Sequence, residues 1–394
     1  MTGDARSRPG FLGFPRPDGR VGTRNHVLVV PTVACAAVVA ERIAAATPLA
    51  VPLPHPAGCG QLGPDMRTTH ETLAAYCAHP NVGAVLVVAL GCEQVAAQAL
   101  AEAARRHGKP AAIVGIQAEG GTIKAAETGT RLARELAAAV AVQPRRWCDV
   151  RALVLALKCG GSDYTSGLAA NPVLGRVTDR LVALGGSAVL GEIAEIMGAE
   201  HLLAARAPRP ATAARLIQIV TRVEQEARAL GLDIRGTQPS PGNIRGGLTT
   251  IEEKSLGAAH KGGERAPLED VVPYAGAVTR PGLTVMDTPG LDVESVTGLV
   301  AGGAQVVVFT TGLGTPTGNP VAPVIKVTAN ARTARHMADN IDLDVSGVIT
   351  DAETLDAAAD RLFAEMLAVA SGRETAAERL GHREFAIHRR NPTI

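Results

Sequence analysis

Short apolar runs alternate with helix-like segments through the first third of the chain. The apolar runs cover residues 27–31, 49–53, 84–90 and 111–116. The segments with helical periodicity that follow them cover residues 36–46, 67–78, 94–106 and 122–142. Strands that alternate with helices in this way form parallel sheets with right-handed crossovers. The pattern therefore predicts four consecutive βα units around a parallel sheet.

The alternation begins again after residues 141–149, whose composition is typical of a linker. Further strands are predicted at residues 151–157, 187–190, 283–286, 305–309 and 324–327. Further helices are predicted from Ile193 and at residues 172–184, 211–230 and 352–371. Residues 236–247 are too rich in Gly and Pro for a simple connector, and long loops in compact domains are usually functional or disordered.

We predict an α/β protein of two Rossmann-like parallel-sheet domains with a site between them. The predicted division is an N-terminal arm or loop at residues 1–26, a first domain at residues 27–145 and a second at residues 150–394. A chain of 394 residues with 46% hydrophobic residues can fill both cores. Aromatic residues make up only 2%, and aliphatic cores suit parallel sheets that are covered by helices.

Charge and hydropathy limit the location and the partners of the protein. The formal net charge is +1 and no basic run carries interleaved aromatic residues, so we expect no nucleic-acid partner. No apolar run reaches membrane-spanning length, and residues 1–24 lack the apolar core of a signal peptide. We therefore expect a soluble cytoplasmic protein. Its six cysteines are then thiols, metal ligands or catalytic groups, and they form no disulfide scaffold.

Several polar side chains follow directly after predicted strands, where a doubly wound sheet collects its ligand site. They are Cys35, His55, Cys59, Cys92, Glu93, Cys159, Asp287, Thr310 and Thr311. The four cysteines contain no C-x-x-C pair, so each is either a buried free thiol or a metal ligand. If their thiolates converge with His55, the softness of sulfur favours iron or zinc over magnesium.

The densest polar group is Cys159-Gly160-Gly161-Ser162-Asp163, which forms either one wall of a ligand site or an ordinary strand-to-helix turn. His55 is a metal ligand, a general acid or a loop histidine. Residues 252–254 either begin a solvated helix or supply a base, a carboxylate anchor or metal ligands. Glu192 and Glu195 have the spacing of a solvated helix face. No Walker A motif or complete G-x-G-x-x-G follows a strand, which disfavours nucleotide binding.

Ten stretches, spread between about residue 14 and residue 348, carry glycine-rich or polar motifs. They lie at residues 16–25, 31–35, 58–60, 90–93, 159–163, 170–172, 198–201, 239–243, 246–257 and 309–312. In this order they resemble the motifs of the altronate/galactarate dehydratase family, the UxaA-type hydro-lyases. Several long motifs in register make this resemblance far more specific than any single motif.

The resemblance implies a metal-dependent, usually iron-dependent, lyase that acts on hydroxylated carboxylic acids such as altronate or galactarate. The implied reaction is β-elimination, in which a base removes the proton α to the carboxylate and enolate charge is stabilised as the C3 substituent leaves. A related two-subunit member removes sulfite from sulfolactate, so a carbon–sulfur lyase is the alternative enzyme. A non-catalytic protein that binds a sugar acid or a metal is the alternative from another class.

Two features depart from the family pattern. Full-length members carry a small SAF-like N-terminal domain, whereas this chain starts almost directly at the motif Arg16-Pro17-Asp18-Gly19. We therefore expect the large subunit of a split enzyme that assembles as an oligomer with a small SAF-domain subunit. Sugar-acid dehydratases typically read Glu-Thr-Pro-Glu where this chain reads Glu192-Ile193-Ala194-Glu195. This departure weighs against a hexarate or hexonate substrate.

The resemblance also implies roles for individual residues. The iron, as Fe²⁺ or an Fe–S cluster, is assigned to Cys59, Cys92 and Cys159, with Cys35 and His55 as candidate additional ligands. The candidate proton-transfer groups are Lys254, His55 and Glu253. The candidate substrate contacts are Arg24, Asn25, Ser162, Asp163, Asn243 and Thr311. Abundant glycine and scarce aromatic residues favour a small polar substrate.

Overall fold

The first half of the chain is built around a parallel four-stranded sheet in the computed structural model, which describes residues 8–394. The strands of this half are β1 (Gly10–Pro15), β2 (Val21–Gly22), β3 (His26–Pro31), β4 (Ala50–Pro52), β5 (Val82–Ala89), β6 (Ala111–Gly115) and β7 (Arg146–Asp149), of which β3 to β6 form the four-stranded sheet. Its helices are α1 (Ala37–Ala45), α2 (Gly63–Ala78), α3 (Ala97–Arg106), α4 (Ile116–Glu119) and α5 (Thr122–Ala141). The sheet order β4-β3-β5-β6 confirms the four predicted βα units.

The N-terminal arm forms strands where the sequence predicted an arm or loop. β1 pairs antiparallel with β2 and with β7, so the arm and the predicted linker share a three-stranded sheet. Gly10 allows the close approach, because a Cβ there would lie 2.5 Å from the carbonyl oxygen of Cys148 in β7. The division of the chain into an arm and two domains remains a prediction.

The second half contains a seven-stranded parallel sheet. Its strands are β8 (Val154–Cys159), β9 (Ser187–Leu190), β10 (Leu268–Val272), β11 (Gly282–Met286), β12 (Val306–Thr310), β13 (Val324–Thr328) and β14 (Leu343–Asp344). Its helices are α6 (Asn171–Ala183), α7 (Glu200–Ala204), α8 (Pro210–Ala229), α9 (Ile234–Thr237), α10 (Pro241–Arg245), α11 (Ile251–His260), α12 (Asp292–Ala301), α13 (Ala331–His336), α14 (Leu355–Ala370) and α15 (Ala376–Arg379). Two parallel sheets in two α/β halves confirm the predicted fold class.

The strand order of the second sheet is β10-β11-β9-β8-β12-β13-β14. The chain leaves β8 towards β9 on one side and returns to β12 on the other, so β8 and β12 flank a topological switch point. Open α/β sheets bind their ligands beside the carboxyl ends of strands at such a point. β8 starts three residues later than predicted, because Asp149 caps a short 3₁₀ turn at Val150–Ala152. The sequence did not predict the two edge strands, β10 and β14.

The two halves share part of their hydrophobic core. Leu28 and Val85 of the first sheet belong to one buried cluster with Val307 of the second sheet. Tyr76 of α2 and Leu299 of α12 belong to the same cluster, and α2 packs against α12. No helix within residues 8–394 is long and apolar enough to cross a membrane.

Candidate functional site

A cavity of about 340 Å³ lies at the carboxyl end of β8. Its lining residues are Cys159, Gly160, Gly161, Ser162, Ala194, Glu195, Gln238, Ser240, Gly242, Asn243, Lys254, Gly290, Asp292 and Leu313. They all come from the second half of the chain, whereas the sequence predicted a site between the two halves. The crossover of the chain at β8 explains this position, because it opens a crevice within one sheet.

A buried group of charged side chains supports the wall of this cavity. Lys158 Nζ donates to Glu192 Oε1 at 2.5 Å and to Asp292 Oδ1 at 2.6 Å. Lys261 Nζ donates to Glu192 Oε2 at 2.8 Å and to the Cys159 thiol at 2.7 Å. Two lysines and two carboxylates therefore balance in charge, and all of them except Asp292 are fully buried. Glu192 is 1% exposed and has a left-handed backbone with φ of 67°. Such strain in a residue other than glycine is typical of functional sites.

The ionisation of the group follows from burial and from pairing. Burial disfavours the charged form of Lys158 and is the largest single effect on it, but Glu192, Asp292 and Cys159 together outweigh burial and raise the pKa of Lys158. Cys159 and Glu192 together raise the pKa of Lys261. The two ammonium groups overcome burial at Glu192 and lower the pKa of its carboxyl. Burial and the neighbouring Glu192 raise the pKa of the Cys159 thiol. The group thus holds two cations, an ionised Glu192 and a thiol that accepts a hydrogen bond.

The loop after β8 offers backbone donors to the cavity. Gly161 has a φ of +58°, and neither its amide nor that of Ser162 donates a hydrogen bond to any part of the chain between residues 8 and 394. Successive free N–H groups in such a turn form an anion-binding concavity. Asn243 Nδ2 donates to the Ser162 carbonyl at 2.8 Å and so fixes the loop from α10.

Asp163 shapes the loop and does not line the cavity. Its Oδ1 accepts hydrogen bonds from Thr165 Oγ1 at 2.7 Å and from the Ser166 amide, and its Oδ2 accepts from Asn330 Nδ2 at 2.8 Å. Thr311, another predicted substrate contact, is buried and accepts a hydrogen bond from the Gly314 amide at 2.9 Å. The structure therefore gives both side chains bonds within the protein.

Lys254 projects from α11 to the cavity. This position agrees with the prediction that residues 252–254 supply a base, a carboxylate anchor or metal ligands. Its ammonium lies 3.0 Å from Glu195 Oε1 and donates to Gln238 Oε1 at 2.7 Å. Only 9% of the Lys254 side chain is exposed. Glu253 instead belongs to the start of the helix, because its carboxylate accepts hydrogen bonds from the amide and the hydroxyl of Thr249. Glu195 lines the cavity, whereas the sequence predicted that it lies on a solvated helix face.

Arg24 and Asn25 lie outside the cavity and join the arm to the rest of the chain. The Arg24 guanidinium forms a bidentate pair with Glu378, with distances of 2.7 and 2.8 Å, and donates to two backbone carbonyls near the end of α14. Asn25 Nδ2 donates to the Val140 carbonyl at 3.0 Å. These bonds occupy the polar atoms that were predicted to contact the substrate.

His55 also lies away from the cavity. Its Nδ1 accepts a hydrogen bond from the Ala57 amide at 3.2 Å, so the neutral ring donates from Nε2 to the Pro31 carbonyl at 2.8 Å. Burial lowers the pKa of His55, which keeps the ring neutral. These contacts hold the loop that carries Cys59 against the end of β3.

Three of the predicted metal-binding cysteines occupy neighbouring loops at the carboxyl edge of the first sheet. Cys35, Cys59 and Cys92 are all exposed. The Ala34 amide donates to the Ala57 carbonyl at 3.0 Å and the Gln94 amide to the Gly58 carbonyl at 3.2 Å, so the three loops are in contact. Cys159 is buried at the carboxyl end of β8, in the other sheet. In the described part of the chain no three His, Cys, Asp or Glu side chains are close enough to hold a single ion.

Lys158, Lys261 and Asp292 are site residues that the sequence analysis missed. A lysine inside the apolar run of β8 is the one available signal, because charged residues are rarely buried unless they are paired. Lys261 follows the end of α11 and Asp292 begins α12, where charged residues are common for local reasons. Their roles depend on contacts with residues far away in the sequence.

Comparison with known proteins gives matches over nearly the whole chain. Residues 13–141 match the family described as D-galactarate dehydratase/Altronate hydrolase, second domain, and residues 150–393 match D-galactarate/Altronate dehydratase, C-terminal. The chain is 40% identical to the (2R)-sulfolactate sulfo-lyase subunit beta of Chromohalobacter salexigens over 380 residues, which cover 96% of this chain and 97% of that subunit.

Two dehydratases are also similar to the chain. It is 35% identical to the altronate dehydratase of Bacillus subtilis, over 98% of this chain and 78% of that enzyme. It is 32% identical to the galactarate dehydratase (L-threo-forming) of Escherichia coli, over 96% of this chain and 76% of that enzyme. The relatives are named for the elimination of either water or sulfite.

Proposed function

Because the chain belongs to the D-galactarate/altronate dehydratase family, we propose that it is a lyase that eliminates water from a small hydroxylated carboxylic acid in the cavity beside β8. The observation that carries this proposal is that a cation and free backbone amides line the same cavity. Lys254 and the N–H groups of Gly161 and Ser162, which have no acceptor among residues 8–394, are suited to bind a carboxylate. A volume of about 340 Å³ suits a small acid.

The reaction begins with the acid held through its carboxylate. A base removes the C2 proton, the C2–H electron pair forms the C2–C3 double bond, and the C3–O bond breaks as the hydroxyl leaves with a proton as water. The resulting enol tautomerises to a 2-oxo acid. Lys254 is paired with Glu195 and is therefore a cation, so it stabilises the charge that develops on the carboxylate during proton removal. This places Lys254 as the carboxylate anchor, in preference to the base.

The test is turnover of a panel of acids by the purified protein together with the small subunit, under anaerobic conditions with iron supplied. The panel contains altronate, galactarate and (2R)-sulfolactate, and the products are followed by NMR. We expect a 2-oxo acid from at least one of them, and Lys254→Met should raise KM at least tenfold. Lys124→Met removes an exposed lysine of α5 and should behave as the wild type. Tight binding of an acid without turnover would instead favour a non-catalytic binding protein.

Elimination of sulfite from sulfolactate is the second candidate activity. It is favoured by the 40% identity to the sulfo-lyase subunit and by Ala194, which lines the cavity within the altered motif Glu192-Ile193-Ala194-Glu195. The C2 proton is removed in the same way, the C3–S bond breaks, sulfite leaves and the enol becomes pyruvate. A higher kcat/KM for sulfolactate than for altronate and galactarate would establish this activity over dehydration.

We also propose that iron binds at the edge of the first sheet, through Cys35, Cys59 and Cys92. Their soft thiolates suit iron, and their exposure on three touching loops allows access. The proposed iron is either a single Fe²⁺ ion or an Fe–S cluster, and cysteine thiolates are ligands of both.

The iron proposal is tested by metal content and absorption spectra. Cys59→Ser should lose most of the iron and the charge-transfer absorption, whereas Cys148→Ser, which changes a buried thiol in β7, should keep both. Cys159→Ser should also keep its iron, because that thiol accepts its hydrogen bond from Lys261 at the other sheet. Full iron retention by Cys59→Ser would remove this edge from consideration.

A second subunit is the proposed partner. The sulfo-lyase relative is named as a subunit beta, and it aligns with this chain over 97% of its length. We propose that a small SAF-domain subunit joins this chain in an oligomer. Co-expression with an adjacent gene for such a subunit, followed by size-exclusion chromatography, should yield one complex. If the two proteins elute separately and this chain alone is fully active, the small subunit is not required.

A further inference from the structure

We propose that Asp292 is the general base that removes the C2 proton, held in position by Lys158. This inference rests on the lyase function proposed above and adds a catalytic residue to it. Three carboxylates lie at or directly behind the wall of the cavity, those of Glu192, Glu195 and Asp292. Their exposure and their partners separate their roles.

Glu192 has no free oxygen to offer. It is 1% exposed, its Oε1 accepts from Lys158, and its Oε2 accepts from Lys261 and from the Cys159 amide. Glu195 is 17% exposed, and its Oε1 lies 3.0 Å from Lys254, the ammonium that a substrate carboxylate would share. Glu195 is therefore suited to orient the carboxylate anchor.

Asp292 lines the cavity and is the most exposed of the three, with 31% of its side chain exposed. Its Oδ1 accepts from Lys158 Nζ at 2.6 Å, and within residues 8–394 its Oδ2 accepts from no donor. One oxygen is thus fixed and the other is free, as a general base requires. Asp292 is also the first residue of α12, where the helix dipole stabilises a negative charge. The free Oδ2 is therefore the oxygen available to accept a proton.

Lys158 cannot leave Asp292 to bind the substrate. It is fully buried, and its ammonium donates to Glu192, Asp292 and the Cys159 carbonyl, which uses all three of its protons. Lys158 and Glu192 are therefore positioning residues that fix the direction of the Asp292 carboxylate.

The loop after β8 is shaped to admit this carboxylate. A Cβ on Gly160 would lie 2.7 Å from Asp292 Oδ1 and 2.8 Å from Oδ2. Gly160 has an ordinary backbone conformation, so this close approach, rather than a special φ, requires the glycine. The main chain of the loop that offers its amides to the substrate carboxylate thus lies against the proposed base, which places Asp292 beside the C2 position.

The proton balance is simple. Asp292 takes the C2 proton and becomes a carboxylic acid while the C2–H electron pair forms the double bond. The leaving group takes a proton from solvent and departs, and Asp292 returns its own proton to solvent. Lys158 remains an ammonium throughout.

The experiment measures exchange of the C2 proton of substrate in D₂O together with turnover. Asp292→Asn should lower both by about 10²–10⁴-fold while KM changes less than threefold. Asp292→Glu should restore part of the exchange, because it keeps the carboxylate. Glu294 is another carboxylate in the first turn of α12, and it pairs with His388. The control variant Glu294→Gln should therefore keep wild-type rates. Glu195→Gln should raise KM but retain exchange.

The outcomes separate this inference from the proposed function. Wild-type exchange by a folded Asp292→Asn variant, or loss of exchange in Glu195→Gln alone, would overturn the assignment of Asp292. If the wild-type protein neither exchanges nor converts any acid of the panel, the lyase function itself fails. Circular dichroism of each variant checks that it is folded.

Discussion

Replacing Glu192 with glutamine should destabilise the protein by about 3–5 kcal/mol, the usual cost of breaking a buried ion pair by removing one partner. Both Glu192 oxygens accept from ammonium groups, one from Lys158 at 2.5 Å and one from Lys261 at 2.8 Å. Glutamine has one acceptor oxygen, so its amide NH₂ would face an ammonium donor. The substitution leaves the backbone strain at φ 67° unchanged, since neither residue is glycine.

The magnitude follows from the charge balance of the group. Lys158, Lys261, Glu192 and Asp292 sum to zero, and Glu192→Gln leaves an uncompensated positive charge. The Cys159 thiol lies 2.7 Å from Lys261 and can ionise in response. The variant should therefore show faster alkylation of Cys159 at a given pH as well as lower stability.

Urea-induced unfolding followed by circular dichroism measures the loss. The matched control is Glu135→Gln, which removes the same charge from an exposed pair with Arg131 on α5 and should change the free energy of unfolding by less than about 0.5 kcal/mol. A loss below about 1 kcal/mol in Glu192→Gln would refute the reasoning, because the pair would then behave like a solvated surface pair.

Other predictions concern the loop and two buried bases. Gly160→Ala should reduce turnover at least tenfold with unchanged circular dichroism, because its Cβ would displace the Asp292 carboxylate. His79 is buried and its Nδ1 accepts from the Asn81 amide, so burial lowers its pKa. The contribution of the neutral His79 to stability should therefore be complete above about pH 6.5 and fall as the pH drops below it, and His79→Gln should reduce that slope. Burial also lowers the pKa of Lys326 to about 8, so stability should rise between about pH 8 and 10.5, by about 3 kcal/mol at most. Lys326→Met should abolish that rise in thermal unfolding measured across this range.

The central strands could be predicted because parallel strands are buried on both faces and read as continuous apolar runs. β5 is an example, since all its residues but the last are buried. β1 and β7 escaped prediction because they pair across more than 130 residues, with no turn signal between them. β10 carries Glu269 and Asp270 in its middle, which an edge strand tolerates and an apolar pattern does not reveal.

The site was predictable only where chemistry and position coincided in the sequence. Cys159 and Lys254 lie within the recognisable motifs at residues 159–163 and 246–257, and both line the cavity. Asp292 begins a helix, where an acidic residue is explained by the helix dipole alone. Its contact with Lys158 joins positions 134 residues apart, and only the folded sheet brings them together. The bidentate pair of Arg24 with Glu378 also joins distant positions, so the sequence could not reveal it.

A crystal structure of the Asp292→Asn variant with the preferred hydroxy acid tests the central claim most directly. The account predicts the acid in the cavity beside β8, with its carboxylate within hydrogen-bonding distance of Lys254 and of the Gly161 and Ser162 amides, and with C2 next to residue 292. An acid bound instead at the Cys59 edge of the first sheet, with the β8 cavity empty, would contradict it.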